Sequence, residues 1–467
     1  RLMTMFGSQW LANAGGGYEI DQSIRFNKTD NSGLTVTPSA GNRDLFTLSV
    51  WFKLGLVTST EYRTLFCADT SNTFQITFLP TANGDYLRFQ DNGVRIFDFS
   101  QSLRDPSAWY HLVYAYDSAQ ATAADRCKAY LNGEEVTALT GVAYPAQNVD
   151  SKWNSAVVHG IGYRSATDNW DGYLSEINHI EGAALDPTSF GETNDDGVWI
   201  PKAYSGAYGT NGFRITGATA ADLGEDFSGN NNDFTSAGLT TADQMLDTPT
   251  LNYCTLNPID KATQVTLADG NLRYQLSSNS YTAVRGTFGV SSGKWYWEMT
   301  AVAGMGANTC YMGIATNASN LQQSNAPGDG TTYTYISYTG NKAYTSSSAY
   351  GDTWNTNGRV IGIALDLDAG KIWWSRDNVW QASGDPAAGT GEAFSGLTGE
   401  WHPYVVFNDN GPNFLFNFGQ SAFTYTPPAG FLALNTANLA IPSITDGSAQ
   451  FQTSLWNGNS STQTITQ

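Results

Sequence analysis

Residues 358–378 read GRVIGIALDLDAGKIWWSRDN, and the alternation within this stretch decides the fold class. Ile361, Ile363, Leu365 and Leu367 fall on one side of an extended chain, and Val360, Gly362, Ala364 and Asp366 fall on the other. The four large aliphatics therefore face a core. Asp368-Ala369-Gly370-Lys371 supplies turn chemistry, and IWWSRDN returns as the partner strand, dividing Trp373 and Trp374 between its two faces. Asp366 and Asp368 share a side but sit at the turn end, so they read as solvated turn carboxylates rather than an acid/base pair.

Working outward, helical periodicity is almost absent, and short alternating runs recur between clusters of Gly, Asn, Asp and Pro. The predicted fold class is all-β: two tandem antiparallel β-sandwiches. The first, over 21–192, has its strands at 45–54, 73–79, 86–90, 109–117, 127–136 and 171–180. The second, over 267–435, has them at 292–302, 310–316, 333–338, 401–407 and 413–419 beside the opening stretch. Between them, 193–266 is rich in turn formers and too long for a structureless loop, so it reads as an ordered connector packed down by Tyr204, Tyr208, Phe213, Phe227 and Phe234. Residues 1–20 are a lead segment, and 436–467 form a C-terminal hairpin or the start of a further domain. A first residue of Arg rather than Met suggests a piece of a longer protein.

A length of 467 residues suits two or three domains. The formal net charge of −19 is the wrong sign for gripping phosphate backbones, so nucleic acid is not an expected partner. Cys67, Cys127, Cys254 and Cys310 are scattered, with neither zinc-ligand spacing nor a disulfide framework. No apolar run approaches the roughly 18 to 20 residues that span a bilayer, and no export signal is visible, so membrane insertion is not expected.

The motifs SGKWYWEM, YMGIAT, GRVIGIALDLDAGKIWWSRDN and PNFLFNFGQSAF occur in an order that resembles the SPRY domain over about 280–432. That resemblance implies a bent β-sandwich that binds partners through edge loops and has no chemistry of its own. FTLSVWFK, WYHLVYAYD, KAYLNGEEV and DGYLSEINHIEGAALDP make the first sandwich similar to the laminin-G and pentraxin-like branch of the concanavalin A-like fold. This likeness implies a jelly-roll lectin architecture, often used for glycans and sometimes with calcium, although the acidic calcium ligands of the pentraxin type are not matched. The connector DDGVWIPKAYSGAYGTNGFRI…DFSGNNNDF…DQMLDTPTLNYCTLNP resembles segments that join lectin-like domains in structural proteins of tailed, especially marine, bacteriophages. It implies a virion protein, such as a tail fibre, head fibre or capsid decoration, assembled in the bacterial host cytoplasm.

Glucanases of the concanavalin A-like fold carry Glu, Asp and Glu in close spacing. Glu19 and Asp21 match this pattern in part, as do Glu176 and Glu181. In a regular strand Glu176 and Glu181 point to opposite faces, and only a bulge would bring both into one cleft at the roughly 5 Å a retaining mechanism needs. They read as strand residues, and the protein as no enzyme. Asp226, Asn230, Asn232 and Asp233 are spaced as calcium would want, yet all are good turn formers. Calcium is thus the one cofactor the sequence admits.

Trp51, Trp109, Trp295, Trp297 and Trp401 lie in strands and are expected in the core, whereas Trp153, Trp170, Trp354 and Trp380 stand among loop residues. Those four, with Asp168 and Asp352, are the candidate glycan site: exposed rings on which sugars stack, beside carboxylates that take hydroxyls. His111, His159, His179 and His402 accompany no nucleophile motif and read as structural. The expected role is adhesion of a homo-oligomeric virion protein to host-surface glycans. The alternatives are a decoration protein contacting other virion proteins and a depolymerase using Glu176 and Glu181.

Overall fold

A computed structural model of the chain describes residues 17–440 apart from 56, 58–60, 70–72, 81–84, 165–167, 277–280, 307–308, 323–327 and 409–410. The expected C-terminal hairpin and most of the lead segment lie outside the described residues. The described elements are strands and short 3-10 turns. Among the described residues all strand pairings are antiparallel except one, where Leu432–Ala433 runs parallel to Lys294–Ala303.

In the first sandwich, Leu45–Leu54 lies at the middle of an eight-stranded sheet between Trp109–Asp117 and Gly172–Glu181. Phe46, Leu48, Val50, Phe52 and Leu54 alternate into a core shared with the opposing sheet, which includes Arg63–Ala68, Phe74–Leu79 and His159–Ile161. Its other face is also covered, because Trp51 packs with Trp109, Tyr173 and Met245. Met245 belongs to the connector.

The connector is ordered, as expected, but it completes the first sandwich rather than merely leaving it. Phe213–Ile215 pairs with Gly172–Glu181, Thr235–Ala237 with Gly33–Val36, and Gln244–Met245 with Ser23–Phe26. Phe213 and Phe234 enter the core, and Tyr204 and Tyr208 pack on the outside of the sheet. Phe227 does not pack down: it is 39% exposed at a turn tip. At the other end of the connector, Leu256–Lys261 pairs with Thr282–Gly286 of the second sandwich.

Val360–Asp366 pairs with Lys371–Arg376, placing Asp366 opposite Lys371. Ile361, Ile363, Leu365 and Leu367 are buried between a seven-stranded and a nine-stranded sheet. Trp374 joins them, while Trp373 lies on the opposite face with Tyr296, Ala364 and Phe431. Because that outer face is covered as well, Asp366 is not solvated: it pairs with Lys294 at 2.9 Å and accepts from the Ala369 N–H at 2.9 Å. Asp368 caps the neighbouring turn by accepting from the Gly293 N–H at 2.7 Å.

A wholly buried charge joins the first sandwich to the end of the connector, where the second begins. Lys53 Nζ, at the end of Leu45–Leu54, donates to Asp247 Oδ2 and Asn252 Oδ1 at 2.7 Å each and to the Tyr253 carbonyl at 3.0 Å. Around it the Tyr173 hydroxyl donates to the Gly270 carbonyl at 2.8 Å, and Asn271 Nδ2 donates to the Gly55 carbonyl at 2.7 Å. A Cβ on Gly270 would fall 2.5 Å from that hydroxyl, which is why no larger residue fits.

Candidate functional site

A cleft of about 210 Å³ opens on the first sandwich, where Gly33–Val36 runs out into Thr37-Pro38-Ser39. Its walls bring together residues far apart in sequence: Trp153 and Asn154 from a turn, His159 and His179 from facing sheets, and Asn211 and Asn232 from the connector. Glu181 ties these pieces from behind. It accepts from Asn42 N at 2.6 Å, Asn154 Nδ2 at 3.0 Å and Asn211 N at 2.8 Å. Burial alone would raise its carboxyl, but these hydrogen bonds outweigh that and hold it below the usual range. Asn211 Nδ2 in turn donates to Asn154 Oδ1 and to the Ser39 carbonyl, both at 2.7 Å.

Both histidines of the cleft are buried, and burial lowers each to about 4, so both rings are neutral near pH 7. His159 Nδ1 lies 2.8 Å from the Val157 carbonyl, and its Nε2 accepts from the Asn154 N–H at 2.9 Å. His179 Nδ1 lies 3.2 Å from the Asn211 carbonyl, while Nε2 has no protein partner. Trp153 Nε1–H likewise has none.

Of the residues expected to bind glycan or metal, Trp153, Asn232 and Asp233 meet in this cleft. Trp153 is not the exposed platform expected: it is 1% exposed, wedged against Phe66, Phe74 and His159 with ring centroids 4.5 to 5.8 Å away. Trp170 packs edge-on against Phe52 at 5.8 Å, Trp354 lies 5.8 Å from Tyr335, and both are fully buried. The correction has one cause. Their polar neighbours mark turns, and the turns are held down by burying the ring, which removes roughly 150–250 Å² of aromatic surface from water.

Trp380 is half-buried near Tyr296, and the exposed Asp352 pairs with Arg376 at 2.8 Å. Asp352 and Trp380 flank the buried Gln381, whose Oε1 accepts from the Asp352 N–H at 2.7 Å. Asp168, half-buried, pairs with Arg164 at 2.7 Å.

The DFSGNNNDF turn satisfies itself. Asp226 Oδ1 accepts from the N–H groups of Arg214 and Ser228 at 2.8 Å, and Oδ2 accepts from Ser228 Oγ at 2.8 Å and Asn232 N at 2.9 Å. Asp233 Oδ1 accepts from Asp226 N at 2.8 Å, and Asn230 and Asn232 donate to the Gly212 carbonyl at 2.9 Å. Both carboxylate oxygens of Asp226 and Oδ1 of Asp233 are thus engaged in holding the turn. Among the described residues, no group of three His, Cys, Asp or Glu side chains could hold a metal ion.

The strand carrying Glu176 and Glu181 does bulge, between Ser175 and Asn178, with Glu176 at φ +46°. The bulge turns Glu176 toward Arg214 rather than toward a shared cleft. Arg214 donates Nε to Oε2 at 3.0 Å and a terminal nitrogen to Oε1 at 2.7 Å, and the Tyr18 hydroxyl donates to Oε1 at 2.8 Å. Glu19 and Asp21 are both exposed.

Residues 27–188 match the family model of the concanavalin A-like lectin/glucanases superfamily, and residues 294–421 match that of the SPRY domain. No curated protein matches the chain. Among solved structures, the SPRY domain of human HERC1 is 18% identical, with 36% of this chain and 99% of that one covered at a TM-score of 0.31. The TRIM65 PSpry domain is 12% identical, with 36% and 92% covered at a TM-score of 0.27. A lectin-like sandwich followed by a SPRY domain suggests a role of the binding or adhesion type.

Proposed function

We propose that this chain is a non-enzymatic virion protein of a tailed bacteriophage, a fibre or decoration that carries lectin-like surfaces to host glycans. The observation that carries the binding reading over hydrolysis is the commitment of both candidate acids to the scaffold. Glu176 is clamped by Arg214 and Tyr18, and Glu181 ties Asn42, Asn154 and Asn211 together. A general acid must be free to exchange a proton with the glycosidic oxygen, and neither carboxylate is. The phage context rests on the connector's resemblance to phage structural segments. Each site would be weak alone, and repetition over a homo-oligomer or a whole virion would raise avidity through effective concentration.

The second reading, a decoration protein contacting other virion proteins, draws on the buried Lys53–Asp247 pair, which ties the first sandwich to the connector leading into the second. The test is a pull-down of the labelled full chain on intact host cells and their extracted polysaccharide, with reducing ends assayed in parallel. Adhesion expects binding without release of reducing ends. Release of reducing ends would overturn the binding reading, and no binding at saturating protein would favour decoration.

A further inference from the structure

The end of strand Leu45–Leu54 and the turn at 247–253 bring together an amine, a carboxamide and a carboxylate. Lys53 and Asp247 are fully buried, and Asn252 is 5% exposed. Lys53 Nζ stands 2.7 Å from both Asn252 Oδ1 and Asp247 Oδ2. With a carbonyl bond of about 1.2 Å, that contact puts Nζ within about 4 Å of the Asn252 carboxamide carbon, near the roughly 3–3.5 Å of a near-attack pose.

Each of the three groups is held where it stands. Lys53 lies in the sheet opposite Trp109 on one side and Tyr173 on the other. An ammonium can only donate and a carbonyl can only accept, so Asn252 turns Oδ1 to Lys53 and Nδ2 to the Ser107 carbonyl, 2.7 Å away. The Asn252 N–H donates to Thr436 Oγ1 at 3.1 Å, and Asp247 closes its own turn by accepting from the Tyr253 N–H at 3.3 Å. Trp109 Nε1 donates to Asp247 Oδ1 at 3.0 Å, which leaves Oδ2 to Lys53. Groups fixed in this way do not have to lose the freedom that two separate molecules lose on meeting.

The surroundings favour uncharged forms. The Tyr173 ring centroid lies 5.7 Å from Nζ, and Tyr173 forms one buried cluster with Trp51, Trp109 and Met245. Burial pushes the Asp247 carboxyl up, although Lys53 and Trp109 pull it part of the way back. A proton passed from the ammonium to this carboxylate removes two buried charges at once. What remains is a neutral amine beside an amide carbon, among side chains that keep bulk water out.

We propose that Lys53 and Asn252 condense into an intramolecular isopeptide bond, with Asp247 taking up a proton and one ammonia leaving. Asp247 Oδ2 takes a proton from the Lys53 ammonium, and the freed lone pair attacks Asn252 Cγ, moving the carbonyl pair onto Oδ1. As that pair returns, the Cγ–Nδ2 bond breaks and its electrons leave with Nδ2. Nδ2 takes a second proton from the former ammonium and departs as ammonia past the half-buried Ser107. Asp247 is left holding the first proton, and one amide has replaced another, so the step needs no oxidant or reductant. An amide is a poor electrophile, so freshly folded chain carries the ion pair first, and the effect of its charge is read on that state.

The test is tryptic peptide mapping by mass spectrometry on the full 467-residue chain, aged in the folded state and then denatured. The bond blocks cleavage after Lys53, so the expected product is peptide 44–63 joined to peptide 215–261 and lighter by one ammonia, with fragment ions placing the link on Lys53 and Asn252. Asp247→Asn, which keeps the shape and removes the proton acceptor, should slow linkage by about a hundredfold or more.

Separate peptides 44–53 and 54–63 beside an unaltered 215–261 would overturn the inference and leave the ion pair as the permanent state. Loss of ammonia without linkage would overturn it too, since an asparagine that cyclises on its own backbone gives the same mass. So would a link that sheds water, which places the bond on Asp247, or linkage in folded Asp247→Asn at the wild-type rate. The wild-type map alone decides whether the bond exists, so the inference stands or falls even where Asp247→Asn does not fold.

Discussion

Replacing Lys53 with methionine asks whether the first sandwich is tied to the connector by a buried charge or merely touches it. Lys53 and Asp247 are both wholly buried and 2.7 Å apart, and the other two ammonium donors serve Asn252 and the Tyr253 carbonyl. Methionine keeps most of the stem's volume but leaves three acceptors unmet, one of them a carboxylate. Breaking one side of such a pair costs roughly 3–5 kcal/mol. Asp247 keeps the Trp109 indole N–H at 3.0 Å and the Tyr253 N–H at 3.3 Å, which places the loss near the lower end, about 3 kcal/mol. At about 2–4 °C per kcal/mol for domains of this size, the Tm should fall by roughly 6–12 °C.

The pH dependence of that deficit has a definite sign. Burial pushes the Asp247 carboxyl up, and Lys53 and Trp109 pull it part of the way back, so it rises further without Lys53. A carboxyl that holds its proton more tightly when folded than unfolded makes the folded state less stable as pH climbs above the unfolded value of about 4. Both proteins share the first part of that loss, so the gap to wild type should widen once the pH passes the wild-type carboxyl's own raised folded value and not before, followed by calorimetry across the acid-to-neutral range. Lys53→Met with Asp247→Leu should lose clearly less than the two single losses combined, because no unpaired charge remains, although the Trp109 and Tyr253 N–H groups lose their acceptor. A single-variant loss under about 1 kcal/mol, as for an exposed pair, or additive losses in the double variant would refute a buried electrostatic joint.

Glu176→Gln should leave reducing-end release from host polysaccharide at background while lowering stability by about 1–3 kcal/mol in guanidinium denaturation, since the part-buried Arg214 clamp loses its charge assistance. A chelator should leave the Tm within about 1 °C, and a drop of several degrees would show that a cation holds the Asp226 turn after all. Thiol titration of the native protein should read none of the four cysteines within minutes, because all are buried and burial pushes Cys67 and Cys127 up to about 12. Denaturant should then release all four, and rapid labelling without it would contradict that burial.

Strand positions were legible because large apolar residues alternate where one face meets a core: Leu45–Leu54 and Trp109–Asp117 fall where the alternation puts them. What covers the opposite face was not legible. Gly362 and Ala364 read the same whether water or Phe431 lies above them, so the solvation expected for Asp366 failed. The tryptophans failed for a related reason, since Asn and Asp beside Trp153 and Trp354 report the turn's backbone and not the ring's direction. The tie from Glu181 to Asn154 and Asn211 spans 27 and 30 residues and leaves no periodic trace. Lys53 did leave one: a lysine between Phe52 and Leu54, the one charge of a buried strand, needs a buried partner, though nothing local says that the partner is Asp247.

The family matches stop at 188 and resume at 294, and what makes this chain more than two sandwiches in a row lies between them. That interval supplies Asp247, which meets Lys53, and the strand Gln244–Met245, which pairs with Ser23–Phe26. It also supplies Asn211, Asn232 and Asp233 to the lining of the cleft. Each piece completes something a lectin-like sandwich leaves unfinished: a sheet edge with unpaired backbone, a buried cation, a wall. Docking by such complementary pieces is stiff, because the desolvated Lys53 cannot leave Asp247 without carrying its charge into apolar surroundings. The shape of the cleft and the approach of the second sandwich are therefore both tied to the same connector, so a change that loosens one should loosen the other.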